Sequence, residues 1–170
     1  MGPTTGILGM IESHLPPWER AFVLCEIYFA EVSWIYRGIT RAQVFDDLLP
    51  TFYKKHTVYA PEDHSGPHNL ALLFAIFAIG ALLETTQGAS NDEAEHYHQI
   101  ARAAVCLQPI LEKPSLVAIQ TLRLWSIYNG MSDGDANSEK SMEMTWSLVT
   151  LAARLSQTVR WNLFFLNHHL

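Results

Sequence analysis

NLALLFAIFAIGALLE, residues 69 to 84, is the stretch on which the fold turns. From Leu70 to Leu83 no side chain carries a charge or a hydrogen-bonding group. A bilayer-spanning helix needs about 20 apolar residues, whereas a run of roughly 10 to 14 is the usual length of a buried core helix. No Lys or Arg stands close to either end to orient a span, and no Trp or Tyr belt flanks it. The run is therefore expected to be a helix surrounded by other protein, with no membrane involved. Full burial of Leu70, Leu72, Leu73, Phe74, Ile76, Phe77, Ile79, Leu82 and Leu83 is worth roughly 14 to 27 kcal/mol before entropy costs. Ala71, Ala75 and Ala78 form a narrow stripe on which a second helix can approach; alanine is equally an ordinary helix former.

Outward from this run, helical signals repeat. Pro16 and Pro17 precede a segment in which Phe22, Cys25, Phe29, Val32 and Tyr36 recur every three or four residues, the spacing of one helix face, with Gly38 as its expected stop. Thr40 and Gln43 form a capping box that opens a short helix through Val44, Leu48 and Leu49, interrupted by Pro50. TVYAPEDHSGPHN has the punctuation of a loop. Beyond the apolar run, Ser90 and Glu93 make a second capping box before AEHYHQIARAAVCLQPIL, a helix to about Gln108. Ser115 caps SLVAIQTLRLWSIYNG, expected to end at Asn129 and Gly130. A polar loop, MSDGDANSEK, then leads to MEMTWSLVTLAARLSQ, where Leu148, Leu151, Ala152, Leu155 and Val159 mark a buried face. No segment alternates with the period of two that a half-buried strand shows. The expected fold is all-α, with stacked antiparallel helical hairpins around a central apolar helix.

Composition bounds the function. A chain of 170 residues forms one domain around a single core by default. Its charged fraction of 16% is below the usual quarter, so the core is large relative to the polar surface and a protein partner is expected. The formal charge of −6, with no basic cluster beyond Lys54 and Lys55, offers phosphates no stripe to bind, which argues against direct nucleic-acid contact. Cys25 and Cys106 lie far apart in apolar helical patterns and are expected to be free core thiols. The first twenty residues lack the basic and apolar regions of a signal peptide, which points to an intracellular protein.

Sites of chemistry are hard to find. His64 and His68 flank a Ser-Gly-Pro turn whose Gly66 and Pro67 break the helix that an i, i+4 ligand pair requires, and a solvated loop is the plainer reading. His96 and His98 point to different faces of a helix, as surface histidines do. No nucleophile elbow, phosphate loop or dinucleotide fingerprint is present, and no base stands beside either cysteine in the sequence. An enzyme is not expected, and neither a catalytic nor a metal site is assigned. Aromatic residues leave one opening. Trp34, Tyr36, Trp125, Tyr128 and Trp146 have core packing as their ordinary role, with an apolar ligand pocket between helices as the alternative.

The segments LCEIYFAEVSWIYRGITRAQVFDDLLPTFYK, LALLFAIFAIGALLE, AEHYHQIARAAVCLQPILEKPSLVAIQTLRLWSIYNG and MTWSLVTLAARLSQ together resemble the fungal-specific transcription factor domain, the helical middle homology region of fungal zinc binuclear cluster regulators. The carriers are Ala94, Tyr97 and Ala101, then Ser115, Gln120, Leu122 and Tyr128, then Trp146, Ala152 and Leu155. The resemblance divides the chain into an N-terminal extension (1–17), a helical regulatory domain (18–157) and a divergent apolar tail (158–170). It implies a nuclear protein acting in transcription regulation through effector sensing or protein contacts, with zinc held only by a six-cysteine DNA-reading cluster that this two-cysteine chain lacks. Where the family typically continues with further helices, SQTVRWNLFFLNHHL follows, so a partial domain is expected, with possible self-association through the apolar tail. Candidate residues for an effector pocket are Trp34, Trp125, Tyr128 and Trp146. The competing expectation is a tetratricopeptide-like scaffold that binds a peptide partner.

Overall fold

The computed structural model describes residues 3–53, 66–84, 92–112, 114–132 and 138–168; the side chains of residues 3–5, 138–141 and 161–168 lie outside the description. Every regular element among the described residues is helical, so the fold is all-α as the periodicity predicts. The chain divides into two compact units, Met1–Gln108 and Pro109–Leu170.

In the first unit the apolar run forms α4 (Pro67–Leu83), with Pro67 at its first turn. Every residue from His68 to Gly80 is buried, with no exposed face. Helices α2 (Trp18–Glu31) and α5 (Asp92–Cys106) pack against it. Against α5 the contact is aromatic: Tyr97 lies with its ring centre 6.0 Å from that of Phe74 and 5.8 Å from that of Phe77. Against α2 the backbones come close at Gly80, where an added Cβ would overlap the Leu24 carbonyl. Ala71, Ala75 and Ala78 are buried as well, but Gly80 is the residue that allows the approach. A short α1 (Pro3–Glu12) packs beside α5.

A polar clamp joins the ends of the three central helices. The Arg20 guanidinium donates to both carboxylate oxygens of Glu84, at 3.0 and 2.7 Å, and to both of Glu93, at 3.1 and 2.5 Å. The Tyr97 hydroxyl donates to Glu93 at 3.1 Å. Hydrogen bonds from Arg20 hold the Glu93 carboxyl below its ordinary pKa, against partial desolvation.

Several expectations are corrected. Helix α2 ends at Glu31, well before Gly38, and its buried face is Ala21, Leu24, Cys25, Tyr28 and Phe29; Phe22 is exposed. Beyond Glu31 the backbone tightens into turns, and side chains donate to the last helix carbonyls. Ser33 Oγ donates to the Phe29 carbonyl at 2.6 Å and the Trp34 indole to the Glu31 carbonyl at 2.8 Å, the acceptors that the amides of residues 33 and 35 would use in a continuing helix. The Ile35 amide turns to Val32 instead. Pro50 does not interrupt its helix: a π-helical turn, Gln43–Leu48, runs into α3 (Leu49–Tyr53), and the wider turn gives the ring room beside the preceding carbonyls. Thr40 does cap this segment, its hydroxyl accepting from the Gln43 amide at 3.1 Å. His68 belongs to α4 rather than to a solvated loop, with its Nε2 2.9 Å from the Gln108 carbonyl oxygen. His98 is buried, and desolvation lowers its pKa. Cys25 is a buried thiol pushed up to about 12 by desolvation and then by Glu26, but Cys106 is exposed. Ser90, His64 and most of the loop before α4 lie outside the described residues.

The second unit contains α6 (Leu116–Ser132) and α7 (Ser138–His168), packed together. Ser115 caps α6, its Oγ accepting from the Ala118 amide at 3.1 Å. The helix does not stop at Gly130, because that glycine keeps a negative φ instead of the left-handed conformation of a terminating glycine. Ala152 and Leu155 are buried and Leu148, Leu151 and Val159 half-buried, the face read from the spacing. The backbone of α7 continues through the tail to His168, and the side chains of its crowded apolar end, on which the expected exposure turns, lie outside the description.

Candidate ligand pocket

Where α2 ends, the chain turns back on itself and leaves a shallow, open depression of about 400 Å³ lined by Phe29, Ser33, Trp34, Arg37, Ile39 and Arg41. That volume is within the range of small-molecule sites, roughly 300 to 1,000 Å³. Phe29 and Ile39 are buried and supply apolar wall. Trp34 is 70% exposed and stands at the rim, its indole donating to the Glu31 carbonyl. The Ser33 hydroxyl has committed its proton to Phe29, so its oxygen remains as an acceptor.

Two guanidinium groups border the cavity, and they differ. Arg41 pairs with Glu26 and lies over two rings, its guanidinium carbon 5.2 Å from the centre of Phe29 and 4.9 Å from that of Phe45. Cation-π contact and ion pair together hold it in place. Arg37 is exposed and makes no hydrogen bond or ion pair among the described residues. No carboxylate lines the cavity.

Of the four aromatic residues expected to line a pocket, Trp34 does so here. Trp125 and Tyr128 are buried in α6, three positions apart, and Trp146 stands exposed on α7. Phe29, Ser33, Arg37, Ile39 and Arg41 were not legible as a site, because a helix read through Tyr36 places Ser33 and Trp34 on its outside. The available signal was an Arg pair four apart beside an aromatic-rich segment. Among the described residues, no group of His, Cys, Asp and Glu is arranged to hold a metal ion, and no helix is long and apolar enough to cross a membrane.

The family described as the fungal specific transcription factor domain matches residues 26–165, most of the chain. The chain belongs to that family. The fungal specific transcription factor domain is a transcription-regulatory family, not an enzyme family. The match extends eight positions beyond residue 157, into the segment set apart above as the tail. The pocket falls inside the match, as do the resemblance carriers Ala94, Tyr97, Ala101, Gln120, Leu122, Tyr128, Ala152 and Leu155, all of them buried. No curated protein and no solved structure matches the chain.

Proposed function

We propose that this chain is the effector-sensing part of a fungal transcription regulator, working in the nucleus, with no chemistry of its own and no direct contact with nucleic acid. Membership of the family supports the regulatory role. The observation that carries effector sensing is the depression at the end of α2, where apolar side chains, an exposed tryptophan and two cations converge within one family-matched segment. The charge of −6 makes DNA reading the task of a separate module, and any zinc would belong to that module. The test is a fusion of the full chain to an unrelated DNA-reading module with a reporter gene, grown on varied nutrients. Reporter output should change with the nutrient, and Trp34→Ala should abolish the change. Output equal to that of the DNA-reading module alone under every condition would sink the proposal.

Protein contact is a second reading, supported by a row on the outside of α2. Trp18, Phe22 and Val23 are partly exposed there, and Phe22 packs on Phe45 with ring centres 5.2 Å apart. A partner that buries this row would be lost on Phe22→Ser, in a pull-down from nuclear extract, without loss of the nutrient response.

A further inference from the structure

The charges around the pocket specify its ligand further. We infer that the cavity bordered by Trp34 and Arg37 takes a small aromatic monoanion, a carboxylate whose ring carries a hydroxyl group; this rests on the effector-sensing reading above. Charge is the first argument. Two cations border the cavity and one of them, Arg41, is paired with Glu26, which leaves one positive charge uncompensated among the described residues, that of Arg37. One negative charge balances it. A guanidinium presents a planar fork that meets a carboxylate with two parallel hydrogen bonds, and Arg37 has no other described engagement to give up.

Shape and donor count supply the rest. Trp34 provides an exposed flat face suited to a ring, with the buried Phe29 and Ile39 beneath, and about 400 Å³ accommodates a single-ring molecule with room for water. The indole N–H of Trp34 is spent on Glu31, so the tryptophan offers its ring and no donor. The proton of Ser33 is spent on Phe29, so its oxygen can only accept. A ligand hydroxyl that donates to Ser33 Oγ matches this inventory; a ligand acceptor placed there would meet a lone pair. An amine would meet the uncompensated charge of Arg37.

Isothermal titration calorimetry of the full chain with para-hydroxybenzoate, its neutral amide para-hydroxybenzamide and the cationic para-hydroxybenzylamine tests the inference. Saturable binding is expected for the anion only, weakening as salt is raised from low to physiological strength. Arg37→Gln should weaken it at least about tenfold, the effect of losing one charge-assisted pair. Ser33→Ala should lower affinity for para-hydroxybenzoate and leave that for benzoate unchanged. Arg37 is exposed, so Arg37→Gln should melt like the parent protein, and Trp34→Ala gives a second probe of the same wall. Equal binding of acid and amide, or an unaltered affinity in Arg37→Gln, overturns the monoanion while leaving an effector pocket in place. No saturable binding of the acid also overturns it, and the effector-sensing reading then stands or falls separately on the nutrient response of the reporter fusion.

Discussion

Helices α4 and α7 are both helical from end to end and differ in how many sides they bury. Helix α4 has no exposed face between His68 and Gly80, whereas α7 buries Ala152 and Leu155 and leaves Met142, Met144 and Trp146 more than half exposed. The first needs neighbours on every side and so carries uniform apolarity; the second needs one covered face and so carries a stripe. Residue type alone does not give burial. Trp146 is a large aromatic side chain and is 66% exposed, because it lies off the stripe.

The largest test of this contrast is a charge placed in each helix. Phe74→Asp puts a carboxylate among the rings of Phe77 and Tyr97, and an unpaired buried charge costs at least about 3 to 5 kcal/mol. Total stability of such a chain is of order 5 to 15 kcal/mol, so a much-lowered or absent cooperative melt is expected by circular dichroism. Trp146→Asp should remain within about 0.5 kcal/mol of the parent, as exposed substitutions do. Similar melts for the two variants would remove the distinction between the helices.

Much of this was legible in the sequence because uniform apolarity and the spacing of Leu148, Leu151, Ala152, Leu155 and Val159 are properties of whole segments. What was not legible depends on single hydrogen bonds. The end of α2 is a local tightening in which the Ile35 amide turns to Val32, an event that periodicity does not register, and the pocket exists only because the chain turns there. The clamp escaped for another reason: Arg20, Glu84 and Glu93 are far apart in sequence and meet only once α2, α4 and α5 are packed. The continuation of α6 past Gly130 shows that glycine permits a stop without requiring one.

Glycines sharpen the comparison at the next scale of effect. Gly80→Ala forces a methyl group onto the Leu24 backbone, and overpacking of this kind costs typically about 1 to 3 kcal/mol. Gly130→Ala, in α6 of the second unit, meets open space in an ordinary helical conformation and should stabilise by roughly 0.5 to 1 kcal/mol. Opposite shifts in the urea midpoint are expected. A stabilising Gly80→Ala would mean that α2 and α4 are not in close backbone contact.

Removing the clamp should have a smaller effect than the charge in α4. Arg20 is partly exposed, as is Glu93, so screening reduces the worth of their pair, while Glu84 is more enclosed. Arg20→Met keeps the aliphatic stem and leaves Glu84 and Glu93 without their cation, at a cost of about 1 to 2 kcal/mol. Adding Glu84→Gln to Arg20→Met should recover part of that loss in a double-mutant cycle. A cost near zero for Arg20→Met would show α2, α4 and α5 held by apolar packing alone.

The smallest expected effect is in the acid limb of stability. Arg20 lowers the folded-state pKa of Glu93 below its ordinary 4.5, so the folded chain binds that proton more weakly than the unfolded chain does. The stabilisation is therefore complete above the unfolded value and is lost as pH falls from about 4.5 through the lower folded value. Glu93→Gln cannot titrate, so it should be weaker than the parent at neutral pH, with the difference narrowing across that window until the two curves approach one another. Urea midpoints measured through the acid range read the difference directly. A gap between parent and Glu93→Gln that is constant with pH would assign the contribution of Glu93 to packing, since the bonds from Arg20 and Tyr97 both favour the ionised carboxylate, and the clamp would then differ little in kind from the apolar contacts around α4.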